Sequence, residues 1–281
     1  MSDMTAGGVD PGRSAATRPG PAALARGAFR TARSGVGAAG ARLRAAAGRP
    51  TRFAGAWPTR EAALGSLPEA ARGGYDTEGV AEVSLAAMSR VAEWDYPVIF
   101  WLERLMRQGA RLLDAGGHLG TKYIAFSRLL PLDEIEWTVT DVPAILAAAR
   151  AAQAAGDLPG ALRFVDGPED AAGADILLAS GLLQYLDVPL ADYVSRMPAP
   201  PRHILLNKVA TRDGPEVVTL ERIGPARVPY RIRSRAAFEA EVAGMGYTVR
   251  DSWDIRALSH VIPTHPWLGQ SQSRGYLLER D

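Results

Sequence analysis

The chain has 281 residues and a formal net charge of +1, and it can bury one sizeable core because single domains run up to about 250 residues. It contains no cysteine, which excludes a disulfide framework, a thiolate zinc site and a cysteine nucleophile, and agrees with a reducing cytoplasm. No window of about 18 apolar residues occurs, so we expect no stable membrane insertion and no typical signal peptide.

Residues 1–52 consist mainly of Ala, Gly, Arg, Pro and Ser. Such a composition cannot offset the entropy of ordering, so it predicts a disordered basic arm. Nine arginines and two aspartates give this segment a net charge of +7, which leaves −6 for the rest of the chain. The remainder therefore lacks the footprint of a nucleic-acid binder. Phe29, Val36 and Leu43 recur every seven residues, which would suit a transient amphipathic helix on a membrane surface; a solvated tail is the alternative.

Residues 53–108 carry helical signals and predict a helical lid before the first core strand. Thr77 is placed to cap a helix whose apolar stripe runs from Val80 to Val91. Asp95 is placed to cap a second helix that continues to Met106.

Residues 109–281 alternate short apolar runs with helical segments, which predicts a mostly parallel sheet with helices on both faces. Strands are expected at residues 111–114, 137–140, 162–165, 176–179, 203–209, 247–253 and 275–278. Helices are expected at residues 121–130, 143–155, 190–197 and 236–243. The order predicts a Rossmann-like α/β domain whose seven-stranded sheet ends in an antiparallel pair.

The segment from Leu112 to Gly120 passes from an apolar strand through Asp114 and the glycines Gly116, Gly117 and Gly120 into a helix. This arrangement lets ligand atoms approach backbone N–H groups at the helix N-terminus. A dinucleotide site would need G-x-G-x-x-G for its pyrophosphate, whereas these glycines read G-G-x-x-G and Asp114 would repel phosphates. S-adenosylmethionine (SAM) has no phosphate and carries an ammonium and a sulfonium, so the loop predicts SAM as the cofactor.

Two further aspartates follow the next two strands. Asp141 stands 27 residues after Asp114, where one carboxylate can accept hydrogen bonds from both ribose hydroxyls. Asp166 ends the third strand, where it is placed for the adenine amino group. Each could instead be a cap or turn residue. Because ligands of open α/β sheets bind at the carboxyl ends of the strands, three carboxylates there favour a nucleotide-like site.

The fourth strand continues into Ser180–Leu186, with the sequence SGLLQYL. Ser180 is predicted to contact the cofactor, and Gln184 and Tyr185 to face the methyl acceptor. A helix-entry turn with Tyr185 packed inside is the competing interpretation. The segment lacks the Asn/Asp-Pro-Pro-Tyr/Phe pattern of amino-group nucleic-acid methyltransferases.

These motifs resemble those of bacterial methyltransferases of unknown substrate that are often associated with surface-polysaccharide and other biosynthetic loci. The shared features are Trp57, Gly74-Tyr75-Asp76, the D-x-G-G-x-x-G loop at 114–120 and the S-G-x-L-Q-Y-L motif at 180–186. The resemblance covers roughly residues 53–278. It implies a class I SAM-dependent methyltransferase that acts on a small molecule or glycan, at oxygen or nitrogen.

Two positions depart from that family's pattern. Asn207-Lys208 replaces an Asp-Arg pair, and residues 218–221 replace a Thr-Val-Gln stretch. Lysine lacks the planar fork of arginine, which implies a different acceptor or a catalytically silent binding or scaffolding protein. A nicotinamide-dependent oxidoreductase is a third hypothesis, which the glycine spacing disfavours.

A hydroxyl acceptor would require a general base within hydrogen-bond reach. The candidates are His203, Glu221, His260 and His265. His260 and His265 stand in a loop between the last two strands that can fold over a site, whereas His203 begins a buried strand. His118 interrupts the glycine loop, and either contacts the cofactor or faces solvent. The histidine spacing does not match a metal site, so no metal is predicted. The sequence carries no signal for an oligomeric state.

Overall fold

The described part of the chain, residues 35, 37–44, 51–68, 85–224 and 226–280 of the computed structural model, contains a ten-stranded mixed sheet. The strands are β1 (Phe53–Trp57), β2 (Arg111–Ala115), β3 (Glu136–Thr140), β4 (Leu162–Phe164), β5 (Ile176–Ser180), β6 (His203–Arg212), β7 (Val217–Ile223), β8 (Ala226–Ser234), β9 (Tyr247–Ile255) and β10 (Gln272–Arg280). The helices are α1 (Arg60–Gly65), α2 (Leu85–Met88), α3 (Tyr96–Leu105), α4 (Thr121–Phe126), α5 (Pro143–Ala155), α6 (Leu190–Ser195) and α7 (Arg235–Gly244). None of the described helices is long and apolar enough to cross a membrane.

Seven strands form the main part of the sheet, in the order β4-β3-β2-β5-β6-β10-β9. The first five run parallel to one another, and β10 is antiparallel to both β6 and β9. The predicted α/β class is confirmed. The predicted total of seven strands is wrong, because three more strands extend the sheet.

The side chains of successive residues in the central strands point to opposite faces of the sheet, as the two-residue period of a strand requires. On one face, Leu113 and Leu177 pack with residues of α6 and α7 such as Phe238. On the other, Leu112 and Leu178 pack with residues of α3 and α4. Both faces of the central strands are therefore buried, and the ligand-accessible edge lies at the strand ends.

The three additional strands are β1, β7 and β8. They form an antiparallel group that joins β6 through a short parallel pairing of Thr211 and Arg212 with Arg233 and Ser234. The group has its own apolar cluster around Phe53, in which Val217, Tyr230 and Ile232 are also buried. This group carries one wall of the cavity described below.

The N-terminal predictions fall partly outside the described residues, namely Thr77, Val80 and most of residues 1–52. Where the structure describes that arm, residues 37–44 are helical and Ala38 and Ala41 are buried. Residues 53–57 form β1 rather than part of a helical lid, because pairing with β7 overrides local propensity.

Asp95 stands at the N-cap position of α3 but makes no capping hydrogen bond. Its carboxylate instead forms a buried ion pair with Lys122 at 2.7 Å and accepts a hydrogen bond from the Ala92 N–H at 3.0 Å. The Asp95 carboxylate thus binds the charged Lys122 of α4 rather than the backbone N–H groups of α3. The predicted capping hydrogen bond is therefore wrong, whereas the predicted start of the helix is right.

A bulge interrupts β6 at Asn207 and Lys208. The register against β10 shifts between the pairs Arg274–Val209 and Tyr276–Leu206, and Lys208 has a φ of +62°. Gly275 lies opposite the bulge, and a Cβ there would be 2.0 Å from the Trp253 ring. Trp253 in turn donates from Nε1 to the Asn207 side-chain oxygen at 3.3 Å. The absence of a side chain at Gly275 thus permits the packing that supports the bulge.

Gly275→Ala is expected to lower the free energy of unfolding by about 1–3 kcal/mol, because the added methyl displaces the Trp253 ring. Urea denaturation of the variant and the wild type measures this difference. Gly244→Ala is the control, since a Cβ there meets no atom within 4 Å. A loss of stability in Gly244→Ala as large as in Gly275→Ala would contradict the proposed steric cause.

Candidate active site

A cavity of about 650 Å³ opens at the carboxyl ends of the parallel strands, where open α/β sheets bind their ligands. One side, the strand-end wall, contains Gly116 after β2, Asp141 after β3, Ser180 at the end of β5 and Lys208 in β6. Four neighbouring strands thus contribute to one site.

The opposite side, the aromatic wall, contains Phe53, Tyr185 and Tyr230. Their rings pack edge to face, with centroids 5.0 Å apart for Phe53 and Tyr230 and 5.5 Å for Tyr185 and Tyr230. The Tyr185 hydroxyl donates to the buried Glu221 carboxylate at 2.5 Å, and Glu221 also pairs with Arg52 at 2.7 Å. Tyr185 therefore lines the cavity with a hydroxyl that is already bonded to a carboxylate.

The glycine loop bends sharply at the cavity surface. Gly116 lines the cavity with a φ of +70°, which only glycine adopts without strain. Gly117 lies against Asp114, and a Cβ there would be 2.6 Å from the Asp114 carboxyl carbon. Gly120 is the N-cap of α4. Gly117 and Gly120 shape the loop and do not line the cavity.

Asp141 connects the glycine loop to the end of β3. One carboxylate oxygen accepts a hydrogen bond from the His118 N–H at 2.8 Å, and the other accepts one from the Val142 N–H at 2.7 Å. Because each carboxylate oxygen can accept more than one hydrogen bond, these contacts orient Asp141 and leave it able to bind hydroxyl groups in the cavity.

Asp114 is buried and does not line the cavity. Burial raises the pKa of its carboxyl to about 7, against a weaker opposing effect of the hydrogen bond from Trp137 Nε1 at 3.3 Å. The sequence argument that Asp114 would repel bound phosphates therefore does not apply to its observed position, since Gly117 covers it.

Asp166 is exposed and lies outside the cavity wall. Its carboxylate pairs with Arg150 of α5 at 2.7 Å, and both side chains face solvent. Of the seven residues predicted to bind the cofactor, Gly116, Asp141 and Ser180 are brought together at the cavity, whereas Asp166 is turned away.

Three of the residues proposed as general bases are histidines, and each has its own local contacts. His260 stacks on Phe53 with ring centroids 3.7 Å apart, and burial lowers its pKa to about 4. His265 contacts Thr264 and packs near Trp267. His203 lies 3.7 Å from Glu279 at the start of β6. None of the three lines the cavity, whereas His118 does.

Lys208 is a cavity residue that sequence reasoning noted only as a departure from the family pattern. Burial lowers its pKa to about 8. Among the described residues, Lys208 and His118 are the non-glycine residues with positive φ, and both line the cavity. Strained backbone of this kind clusters at functional sites. No group of side chains able to hold a metal ion occurs in the described ranges.

No family model matches the chain, and no curated protein is significantly similar to it. Among solved structures, it is similar to the 1,6-didemethyltoxoflavin-N1-methyltransferase of Burkholderia thailandensis with bound 1,6-didemethyltoxoflavin and S-adenosylhomocysteine. The identity is 21% over 70% of this chain and 80% of that one, with a TM-score of 0.44. The magnesium protoporphyrin IX methyltransferase of Synechocystis PCC 6803 with bound SAM gives 14% over 66% and 77%, with a TM-score of 0.43.

OxaC in complex with sinefungin and meleagrin gives 16% identity over 72% of this chain, with a TM-score of 0.47. The matched region spans about half of OxaC, 50% of its length.

Proposed function

We propose that the chain is a SAM-dependent methyltransferase. The observation that carries this proposal is the antiparallel strand β10, which lies between β6 and β9 at one end of an otherwise parallel main sheet. A doubly wound dinucleotide-binding sheet is mostly parallel and has the order 3-2-1-4-5-6, with no strand inserted between the last two. The inserted antiparallel strand is the feature that the methyltransferase prediction requires and the oxidoreductase hypothesis does not.

The part of the strand-end wall around Gly116 and Asp141 fits the nucleoside part of SAM. The Asp141 carboxylate, oriented by two backbone N–H groups, would hold the ribose hydroxyls. Val142 and Ile145 supply apolar surface beside it, and Gly116 permits close approach of the ligand to the backbone. When bound, SAM would supply an electrophilic methyl group. The residues of the chain would position the acceptor against it and exclude water.

The acceptor would occupy the half of the cavity next to the aromatic wall. The segment 53–108 contributes four residues to the cavity lining, namely Phe53, Arg60, Met88 and Trp94. These contacts support the role of this segment as a cover over the cavity. Flat aromatic side chains together with arginines suit a small molecule or a sugar-containing acceptor, methylated at oxygen or nitrogen. The resemblance in the segment Ser180–Leu186 supports the same assignment.

Isothermal titration of the purified chain with SAM, S-adenosylhomocysteine (SAH) and NADH tests the proposal. We expect saturable binding of SAM and SAH and none of NADH, because the cavity offers a ribose-binding carboxylate without a G-x-G-x-x-G loop. Binding of NADH without binding of SAH would support the oxidoreductase hypothesis. Absence of binding to all three would favour the silent binding protein.

A further inference from the structure

Three polar side chains meet at the junction between the strand-end wall and the aromatic wall, around Gly181. Lys208 Nζ lies 3.1 Å, and Gln184 Nε2 3.6 Å, from the position that a Gly181 Cβ would occupy. Ser180 is the residue before Gly181. All three side chains line the cavity. Glycine at position 181, with a φ of +89°, lets the Lys208 and Gln184 side chains lie close to its backbone.

Two of these three residues carry a buried polar atom that no described residue satisfies. The Ser180 hydroxyl and the Gln184 side-chain oxygen are buried and have no hydrogen-bond partner among the described residues. The Gln184 residue as a whole is only 7% exposed. Lys208 forms no ion pair with a described carboxylate, and the nearby Asp95 carboxylate is bound to Lys122 at 2.7 Å. Unpartnered buried polar groups are costly, so their concentration at one point indicates a ligand.

The charges around Lys208 favour a negative ligand. Burial is the largest effect and lowers the pKa of Lys208 to about 8. The nearby Lys122 ammonium also lowers this pKa, whereas the Asp95 and Asp114 carboxyls raise it. Lys208 is therefore mostly an ammonium at neutral pH. Because the pKa of buried Asp114 is raised to about 7, its carboxyl neutralises this cation only in part.

We propose that Lys208 and Gln184 bind an anionic oxygen of the methyl acceptor, so that the acceptor is an acidic small molecule carrying a carboxylate or an acidic aromatic hydroxyl. This inference rests on the proposed function, because it assigns the acceptor half of the same cavity. The Lys208 ammonium and the Gln184 carboxamide N–H₂ both lie beside Gly181 in the cavity lining. Both groups are donors, and an oxygen anion is their complement.

The proposal accounts for the positions of the histidines. An acceptor that has already lost its proton to solvent needs no general base, so none of His203, His260 and His265 has to reach the cavity. Lys208 then acts as a positioning residue that holds the anion with its own proton retained. The strained φ of Lys208 serves to direct the ammonium into the cavity.

The test compares matched ligands on protein saturated with SAH. Benzoate and benzamide have the same shape and differ in charge; 4-nitrophenol and 4-nitroanisole form a second pair, in which the phenolate also has its own visible absorption. We expect benzoate or 4-nitrophenolate to bind about tenfold more tightly than its neutral partner, because charge-assisted hydrogen bonds are lost in the latter. If only the first pair shows the preference, the acceptor carries a carboxylate. If only the second pair shows it, the acceptor carries an acidic aromatic hydroxyl.

Lys208→Met should abolish the preference for the anion, and Lys208→Arg should retain part of it, with SAH affinity within about twofold of the wild type in both. Methionine and arginine bear the same backbone strain as lysine at this position, so the comparison isolates the charge. Equal affinity for the charged and neutral members of both pairs in the wild type would overturn the inference, even if Lys208→Met does not fold.

Two other outcomes are decisive. A large loss of SAH affinity in Lys208→Met would show that the ammonium serves the cofactor carboxylate instead, and would also overturn the inference. Failure of the wild type to bind SAH would overturn the proposed function itself, which distinguishes that failure from the failure of the acceptor assignment.

Discussion

Asp141→Ala is expected to weaken SAH binding by about 10- to 100-fold. The substitution removes the carboxylate that would hold the ribose hydroxyls, and hydrogen bonds to a charged group contribute about 1.5–3 kcal/mol each, where 1.4 kcal/mol corresponds to a factor of ten. It also leaves the His118 and Val142 N–H groups without their acceptor, which loosens the glycine loop. Isothermal titration with SAH measures the change.

Asp166→Ala is the matched control, because Asp166 is also an aspartate after a parallel strand but points to solvent and pairs with Arg150. We expect its SAH affinity to stay within about twofold of the wild type, since exposed ion pairs contribute little. Asp141→Asn should be intermediate, because a carboxamide offers only one accepting oxygen. Unchanged SAH affinity in a folded Asp141→Ala protein would refute the assignment of this residue to the cofactor.

The central strands of the main sheet could be predicted because each is a short apolar run that is buried on both faces. Leu112, Leu113, Leu177 and Leu178 pack into two different clusters, and such runs are recognisable without knowledge of the fold. Helix α5 begins at Pro143 and ends before Gly156 as predicted, since proline and glycine mark helix ends in the sequence itself.

The added strands β1, β7 and β8 were missed for different reasons. β1 is only five residues long and contains Gly55, so nothing local distinguishes it, and its pairing partner lies more than 160 residues away. β7 and β8 carried a usable signal, because a run rich in β-branched residues, 217–223, is followed by Gly224-Pro225 and then by a second run that contains Val228, Tyr230 and Ile232.

The strand-end rule correctly predicted where the three aspartates stand but could not predict where their side chains point. Asp114 is directed into the core, Asp141 to the cavity and Asp166 to solvent. These directions depend on the exact residue at which each strand ends and on partners such as Trp137 and Arg150. Lys208 was missed for a related reason, since its direction depends on a bulge opposite Gly275 that has no local signature.

The buried carboxyl of Asp114 is expected to make the stability of the fold depend on pH. Its pKa is raised from 3.8 to about 7, mainly by burial. Between these values the folded chain retains a proton that the unfolded chain has lost. The free energy of unfolding should therefore fall as the pH rises through this window, by up to about 1.4 kcal/mol per pH unit. Above a pH of about 7 the destabilisation is complete, and below about 4 it disappears.

Asp114→Asn removes the titrating group and keeps an oxygen that can accept the hydrogen bond from Trp137 Nε1. Urea denaturation of both proteins at pH 5 and pH 8 gives the relevant difference, because titrations of all other groups cancel between them. From pH 5 to pH 8, we expect the free energy of unfolding of Asp114→Asn to rise by about 2 kcal/mol relative to that of the wild type. For Asp166→Asn, an exposed control, we expect almost no such change. Parallel pH profiles for the wild type and Asp114→Asn would mean that the carboxyl is ionised in the fold, and hence that a negative charge lies beneath the glycine loop.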